Sequence, residues 1–182
     1  KLGPASVQKS LAGKRQLAVH VALDMTKGEK AAISKVVSKL TNRLSKRAAR
    51  RLEKHTKQFH FHDSTDAMLY ASGMSDLPFW GKQTPMALHD KDTFSVHFSS
   101  PDSYPDHPTL TKPALTAHSY AYALASAMDG GAGHHLSKED EWQEAWEAEL
   151  SSDELTDFAS SDAKVGFAEF GRMVIRRKLT PK

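Results

Sequence analysis

Residues 16–23, QLAVHVAL, form an apolar-rich run of strand length and predict a buried strand. Thr26 then opens Thr-Lys-Gly-Glu, the spacing of a capping box, in which Thr26 receives the Glu29 amide and Glu29 reaches back. Beyond it Ile33, Val36, Val37, Leu40, Leu44, Ala48 and Leu52 recur at intervals of three and four. This is the stripe of one long amphipathic helix, with Lys35, Lys39, Arg43, Lys46, Arg47, Arg50 and Arg51 mostly off it. At 1.5 Å per residue such a helix would be roughly 45 Å long and back a sheet.

The pattern then changes period. QFHFHD, residues 58–63, alternates, placing His60 and His62 on one strand face and Phe59 and Phe61 on the other. DAMLYAS, residues 66–72, and TFSVHFS, residues 93–99, predict further strands, the latter with Phe94, Val96 and Phe98 on one side. Between them lies a turn-rich loop over 73–85 with Phe79 and Trp80. Prolines at 101, 105, 108 and 113 hold an extended link to an Ala-rich helix starting near Ala114. After Gly130, Gly131 and Gly133, Ser137 is placed to cap an acidic helix, KEDEWQEAWEAEL. The last helix, residues 162–177, offers Val165, Phe167, Ala168, Phe170, Met173 and Val174 for burial.

These elements make an α+β fold: a small mixed sheet, a long backing helix and a helical C-terminal half. The 182 residues suit one domain over 1–182, with residues 1–15 as a flexible N-terminal arm. An apolar fraction of 39% with 26% charged residues fits a globular chain with a wet surface. No apolar run is long enough to span a membrane. The absence of cysteine removes disulfides and thiolate metal sites. No basic region followed by an apolar run opens the chain, so no signal peptide is legible, although a processed chain would read the same.

Charge is divided along the sequence. Residues 1–57 carry fifteen Lys and Arg against three acids, and residues 139–162 carry ten acids without Lys or Arg. Two solvated helix faces account for this most simply. A polyanion or nucleic acid on the basic face (Arg43, Arg47, Arg50, Arg51 and Lys54) is the functional alternative. No helix-turn-helix pairing, Gly-rich phosphate loop or Gly-x-Ser-x-Gly elbow accompanies it.

HSYAYALASAMDG, followed by LSKEDEWQEAWEAEL and LTDFASSDAKVGFAEF, resembles the C-terminal half of the anthrax lethal factor-like zinc peptidases. The resemblance spans about residues 115–175, roughly a third of the chain. It implies a zincin-like domain, in which a His-Glu-x-x-His helix lies under the sheet and a later Glu supplies the third zinc ligand. Carried over position by position, it also implies lost chemistry. His118 keeps the first ligand, but Ser119 stands at the general base and Tyr122 at the second ligand. Val165 stands at the third ligand, and Phe158 replaces a hydroxyl-bearing Tyr. Glu169 persists as the second Glu of the motif, about 6 Å along the helix axis from Val165, too far to replace a ligand held near 2 Å.

The expectation is a pseudoenzyme without cofactor that binds another protein, secreted and effector-like by analogy with its relatives. Trp142 and Trp146, four residues apart, either pack inward or form a protein-contact ridge. An active zinc peptidase with non-standard ligands is the second reading, and its ligand set would be His60, His62, His97 and His118. Otherwise His118 is a hydrogen-bonded core histidine.

Overall fold

The computed structural model describes residues 2–9, 16–22, 26–73, 87–90, 93–99, 112–130, 135–150 and 157–176. Five strands form one sheet in the order β1-β2-β3-β5-β4. Strands β2 (Gln16–Ala22), β3 (Gln58–His62) and β5 (Ser95–Ser99) run parallel at its centre. Both edges are antiparallel: β1 (Leu2–Lys9) on β2 and β4 (Ala87–Asp90) on β5. The segment read as an N-terminal arm thus supplies an edge strand over residues 2–9. The turn-rich loop with Phe79 and Trp80 and the prolines at 101, 105 and 108 lie outside the described residues.

A parallel pair needs a crossover, and between β2 and β3 it is helical. The expected single long helix is two, α1 (Lys27–Thr41) and α2 (Lys46–His55). The capping box of Thr26 and Glu29 starts α1, with the Thr26 amide donating to Glu29 Oε2 at 2.9 Å. Asn42 ends it, and Ser45 begins α2 by accepting the Ala48 amide at 3.1 Å. The break re-phases the stripe, so Ala49 and Leu52 are buried in α2 rather than Ala48. Ile33, Val37, Leu40 and Leu52 nonetheless reach one core, because both helices back it. The serine that caps α2 was the legible sign of it.

Residues 66–72 are not a strand. Ser64 caps a short helix, α3 (Thr65–Ala71), by accepting the Ala67 amide at 3.1 Å, and Asp66 lies in its first turn. Met68 and Leu69 face inward at helical spacing while Tyr70 is exposed. The segment DAMLYAS has no β-branched residue to favour a strand, so the cap prevails. β5 likewise begins two residues late. Phe94 has φ 55 in the preceding turn and is exposed, its ring under Lys57 Nζ at 4.8 Å, so only Val96 and Phe98 face the core.

The core lies on the phenylalanine face of the sheet. Phe59, Phe61, Val96 and Phe98 pack against Val37, Leu40 and Leu52 and against α4 (Lys112–Asp129). Tyr120 of α4 meets Phe59 edge-on at 5.6 Å between ring centres. α4 is almost wholly buried, as its alanines permit close approach on several sides.

A 3-10 turn, Leu136–Lys138, leads to the acidic helix α5 (Asp140–Leu150), then α6 (Asp157–Ser160) and α7 (Ala163–Arg176). Ser137 does not cap α5. Its amide and hydroxyl both donate to the buried Asp129 carboxylate, at 2.7 and 2.8 Å, tying the end of α4 to the 3-10 turn. α7 packs along α4, with Gly171 so close that a Cβ there would lie 2.6 Å from the Ala125 Cβ.

The inner face of α7 is rotated from the expected one. Gly166, Ala168, Glu169, Arg172 and Ile175 are buried, whereas Phe170 and Val174 are 47% and 48% exposed. Two charged residues could take inner positions because they satisfy each other there. Among the described residues no helix is long and apolar enough to cross a membrane.

Candidate functional site

Where the resemblance places an active site, between α4 and α7, the structure has a buried polar cluster. His118, Glu169 and Arg172 are all under one-tenth exposed. Arg172 donates through Nε and Nη2 to Glu169 Oε2, at 2.8 and 2.6 Å. The i,i+3 spacing on α7 allows this, and a charge-assisted pair of bonds to one oxygen is strong. Glu169 Oε1 points toward His118 Nε2 at 4.0 Å, without a hydrogen bond of its own. On the far side of the ring, Arg176 Nη1 approaches His118 Nδ1 at 3.5 Å. A guanidinium has no lone pair, so this contact requires the Nδ1 lone pair as acceptor and leaves the ring proton on Nε2, facing the carboxylate. His118 is therefore a core histidine held between Glu169 and Arg176.

Of the other carried-over positions, three have described side chains. Ser119 is fully buried. Tyr122 sits in an apolar cluster with Leu115 and Ala168. Val165, on α7, is half-buried. The Phe158 side chain lies outside the described residues. Hydrolysis by a metal-bound water needs an open metal position with a base beside it. Among the described residues no group of three or more His, Asp or Glu is arranged to hold a metal ion.

The histidines proposed as alternative ligands divide between the two sides of the sheet. Parallel register aligns His20, His60 and His97 across β2, β3 and β5. Their rings stack at the strand spacing, 5.1 Å for His20–His60 and 4.7 Å for His60–His97. His62 stacks on His97 at 5.2 Å, and its Nε2 lies 3.0 Å from His97 Nδ1 in a hydrogen bond. His20, His60 and His97 turn their ring faces toward one another, while the nitrogens that His62 and His97 direct at each other are taken up by their mutual hydrogen bond. His118 belongs to α4, on the phenylalanine face, and cannot join them. Burial, then the neighbouring His97 and His20, pushes His60 down to about 4. Burial, then His97 and His60, does the same to His62, also to about 4. His97 is lowered by burial against an opposing pull from Asp90.

The two tryptophans are not an exposed ridge. Trp142 donates its indole N–H to the Ala163 carbonyl at 2.9 Å and meets Phe167 edge-on at 5.2 Å. Trp146 donates to the Ala159 carbonyl at 3.1 Å. They fasten α5 to α6 and α7. The apolar surface beside them is Phe170 and Val174, with Phe170 tilted against Trp142.

The basic face is also partly internal. Arg51 Nε donates to the Met128 carbonyl at 2.9 Å, and Arg43 Nη1 to the Ile175 and Arg176 carbonyls at 3.3 and 3.4 Å. Cations there complement the C-terminal turns of α4 and α7. Lys46, Arg47, Arg50 and Lys54 remain exposed on α2.

Sequence reasoning missed Arg172, Arg176, His20 and Asp129. Arg172 was signalled by its position three residues after Glu169. His20 was not, because its alignment with His60 depends on the register of separate strands. No family model, characterised protein or solved structure matches the chain.

Proposed function

We propose that the chain is a metallopeptidase-like scaffold of zincin type that has exchanged metal chemistry for packing and acts by binding another protein. The observation that carries this is the setting of His118. Its Nδ1 faces Arg176 and its Nε2 faces Glu169, and among the described residues no third His, Asp or Glu joins them as a group that could hold a metal. Tyr122 in an apolar cluster and the fully buried Ser119 support the same reading. So does an Ala-rich helix lying against a sheet whose outer strand, β4, is antiparallel. By the same resemblance the protein would be exported and act outside the cell that makes it.

The binding surface that fits best is the outer side of α7 beside α5. It combines the exposed Phe170 and Val174 with the exposed Asp140, Glu141 and Glu144. That surface suits a partner with an apolar patch rimmed by Lys or Arg.

The test is the metal content of the extensively dialysed protein, together with cleavage of a random peptide library with and without added zinc. The expected results are far less than one zinc per chain and no cleavage. About one zinc per chain, or cleavage abolished by a chelator and by His118→Ala, would establish the non-standard zinc peptidase instead. Retention of polyanions that is lost on replacing Arg47, Arg50 and Lys54 would favour the basic-face reading.

A further inference from the structure

The sheet face opposite the core carries imidazoles on three adjacent parallel strands, an arrangement that the proposed function does not use. His20, His60 and His97 form a row at one register position, and His62 extends it one step along β3. His62 and His97 are under one-tenth exposed, and His60 Nδ1 is buried without a hydrogen-bond partner. α3 lies on this face. Its Met68 and Leu69 cluster with Leu88, which pairs with His97, and Thr65 Oγ1 is 3.2 Å from Ser99 Oγ.

We infer that this histidine row is an acid-operated latch: protonation of His60, His62 and His97 releases α3 from the sheet while the phenylalanine-side core stays folded. Imidazolium rings 4.7–5.2 Å apart repel one another, and each needs hydration that the closed face withholds. The groups facing the row provide little compensation. β2 adds only His20, and α3 has Asp66 on its solvent side. β4 provides Asp90, which favours protonation of His60 and His97, but its carboxylate is also engaged by the Thr93 amide and hydroxyl.

α3 is the element to yield because it is held by two buried apolar side chains, whereas β3 and β5 also carry the phenylalanine core. The sign follows from proton linkage. A histidine held below its ordinary value of about 6.5 stabilises the closed state fully above that pH, and the contribution is lost as pH falls toward 4. With both His60 and His62 near 4, the opening equilibrium at pH 5 rises by about five-hundredfold over its value at neutral pH.

The test is amide hydrogen exchange on the intact chain from pH 7.5 to 4.5, corrected for intrinsic rates. Protection of residues 65–71 should fall at least a hundredfold below about pH 6, while that of 115–127 persists. The variant His60→Asn/His62→Gln/His97→Asn should remove this pH dependence. If that variant does not fold, ring-proton NMR of the unaltered protein serves, with two or more histidines expected to titrate well below 6. Simultaneous loss of protection in α3 and α4 would overturn the proposal. So would an unchanged transition in the variant, histidines that all titrate near 6.5, or a transition displaced by one equivalent of zinc.

Discussion

The Trp146 indole occupies the space that a side chain on Gly166 would need: a Cβ at Gly166 would fall 2.7 Å from Trp146 Nε1 and 3.0 Å from the Ala159 carbonyl oxygen. Gly166 is helical, so the cause is close approach rather than an unusual backbone angle. The glycine lets α5 and α6 seat on α7, and the Trp146–Ala159 hydrogen bond depends on that seat. Gly166→Ala is expected to destabilise the protein by about 1–3 kcal/mol despite the better helix propensity of alanine. Urea unfolding followed by tryptophan fluorescence would measure it. A neutral or stabilising result would mean that α5 is not seated as described.

Arg51 and Arg50 are neighbours in sequence with different duties. Arg51 closes the C-terminal turn of α4 through the Met128 carbonyl, while Arg50 is exposed. Arg51→Met keeps the apolar stem and removes the donor, and should cost about 1–2 kcal/mol. Arg50→Met should lie within about 0.5 kcal/mol of the unaltered protein. Equal effects from the two, in parallel thermal melts, would refute the capping role.

The difference between these two arginines marks what could be read from the sequence. Period-two alternation placed Phe59 and Phe61 opposite His60 and His62 correctly, because a half-buried strand must sort its residues by face. The α+β class was likewise legible from local period and order. What was not legible depended on tertiary partners. The fastening of Arg43 and Arg51 to distant helix ends, and the alignment of His20 with His60, require the fold to be known. The inner face of α7 differs from the expected one because apolar spacing alone cannot foresee a charged pair buried in place of Phe170 and Val174. At Ser45 and Ser64 the capping hydroxyl outweighs apolar spacing and decides between break and continuity, or between helix and strand.

Tyr120 is fully buried, and its hydroxyl lies 2.9 Å from Thr41 Oγ1, joining α4 to the end of α1. Burial pushes its phenol well above the ordinary range. Because the folded-state value is raised, the neutral phenol stabilises the fold up to about pH 10, and this is lost as pH climbs further. Of the four tyrosines, Tyr120 should therefore ionise only on unfolding, seen as a missing ultraviolet step that appears together with loss of circular dichroism in alkali. Tyr120→Phe and Thr41→Val should each cost about 1–2 kcal/mol by leaving one hydroxyl unpaired, and the double variant less than their sum.

The pairing of Glu169 with Arg172 yields the most discriminating expectation, since it separates a structural cluster from a dormant catalytic one. Both side chains are buried, and Arg172 delivers two hydrogen bonds to one carboxylate oxygen. Removing one charge strands the other in a medium that solvates it poorly. Glu169→Gln and Arg172→Met should each destabilise by about 3–5 kcal/mol. Replacing both removes the stranded charge, so Glu169→Gln/Arg172→Met should recover a large part of that loss, since no uncompensated charge remains buried. His118→Asn, by contrast, should cost only about 1–2 kcal/mol, because a neutral ring in a weak contact is lost while the ion pair stays intact. Chemical denaturation of the four variants measures the cycle. If His118→Asn were the most damaging and the ion-pair variants nearly neutral, the cluster would be organised around the imidazole, and the packing account of this site would have to be abandoned.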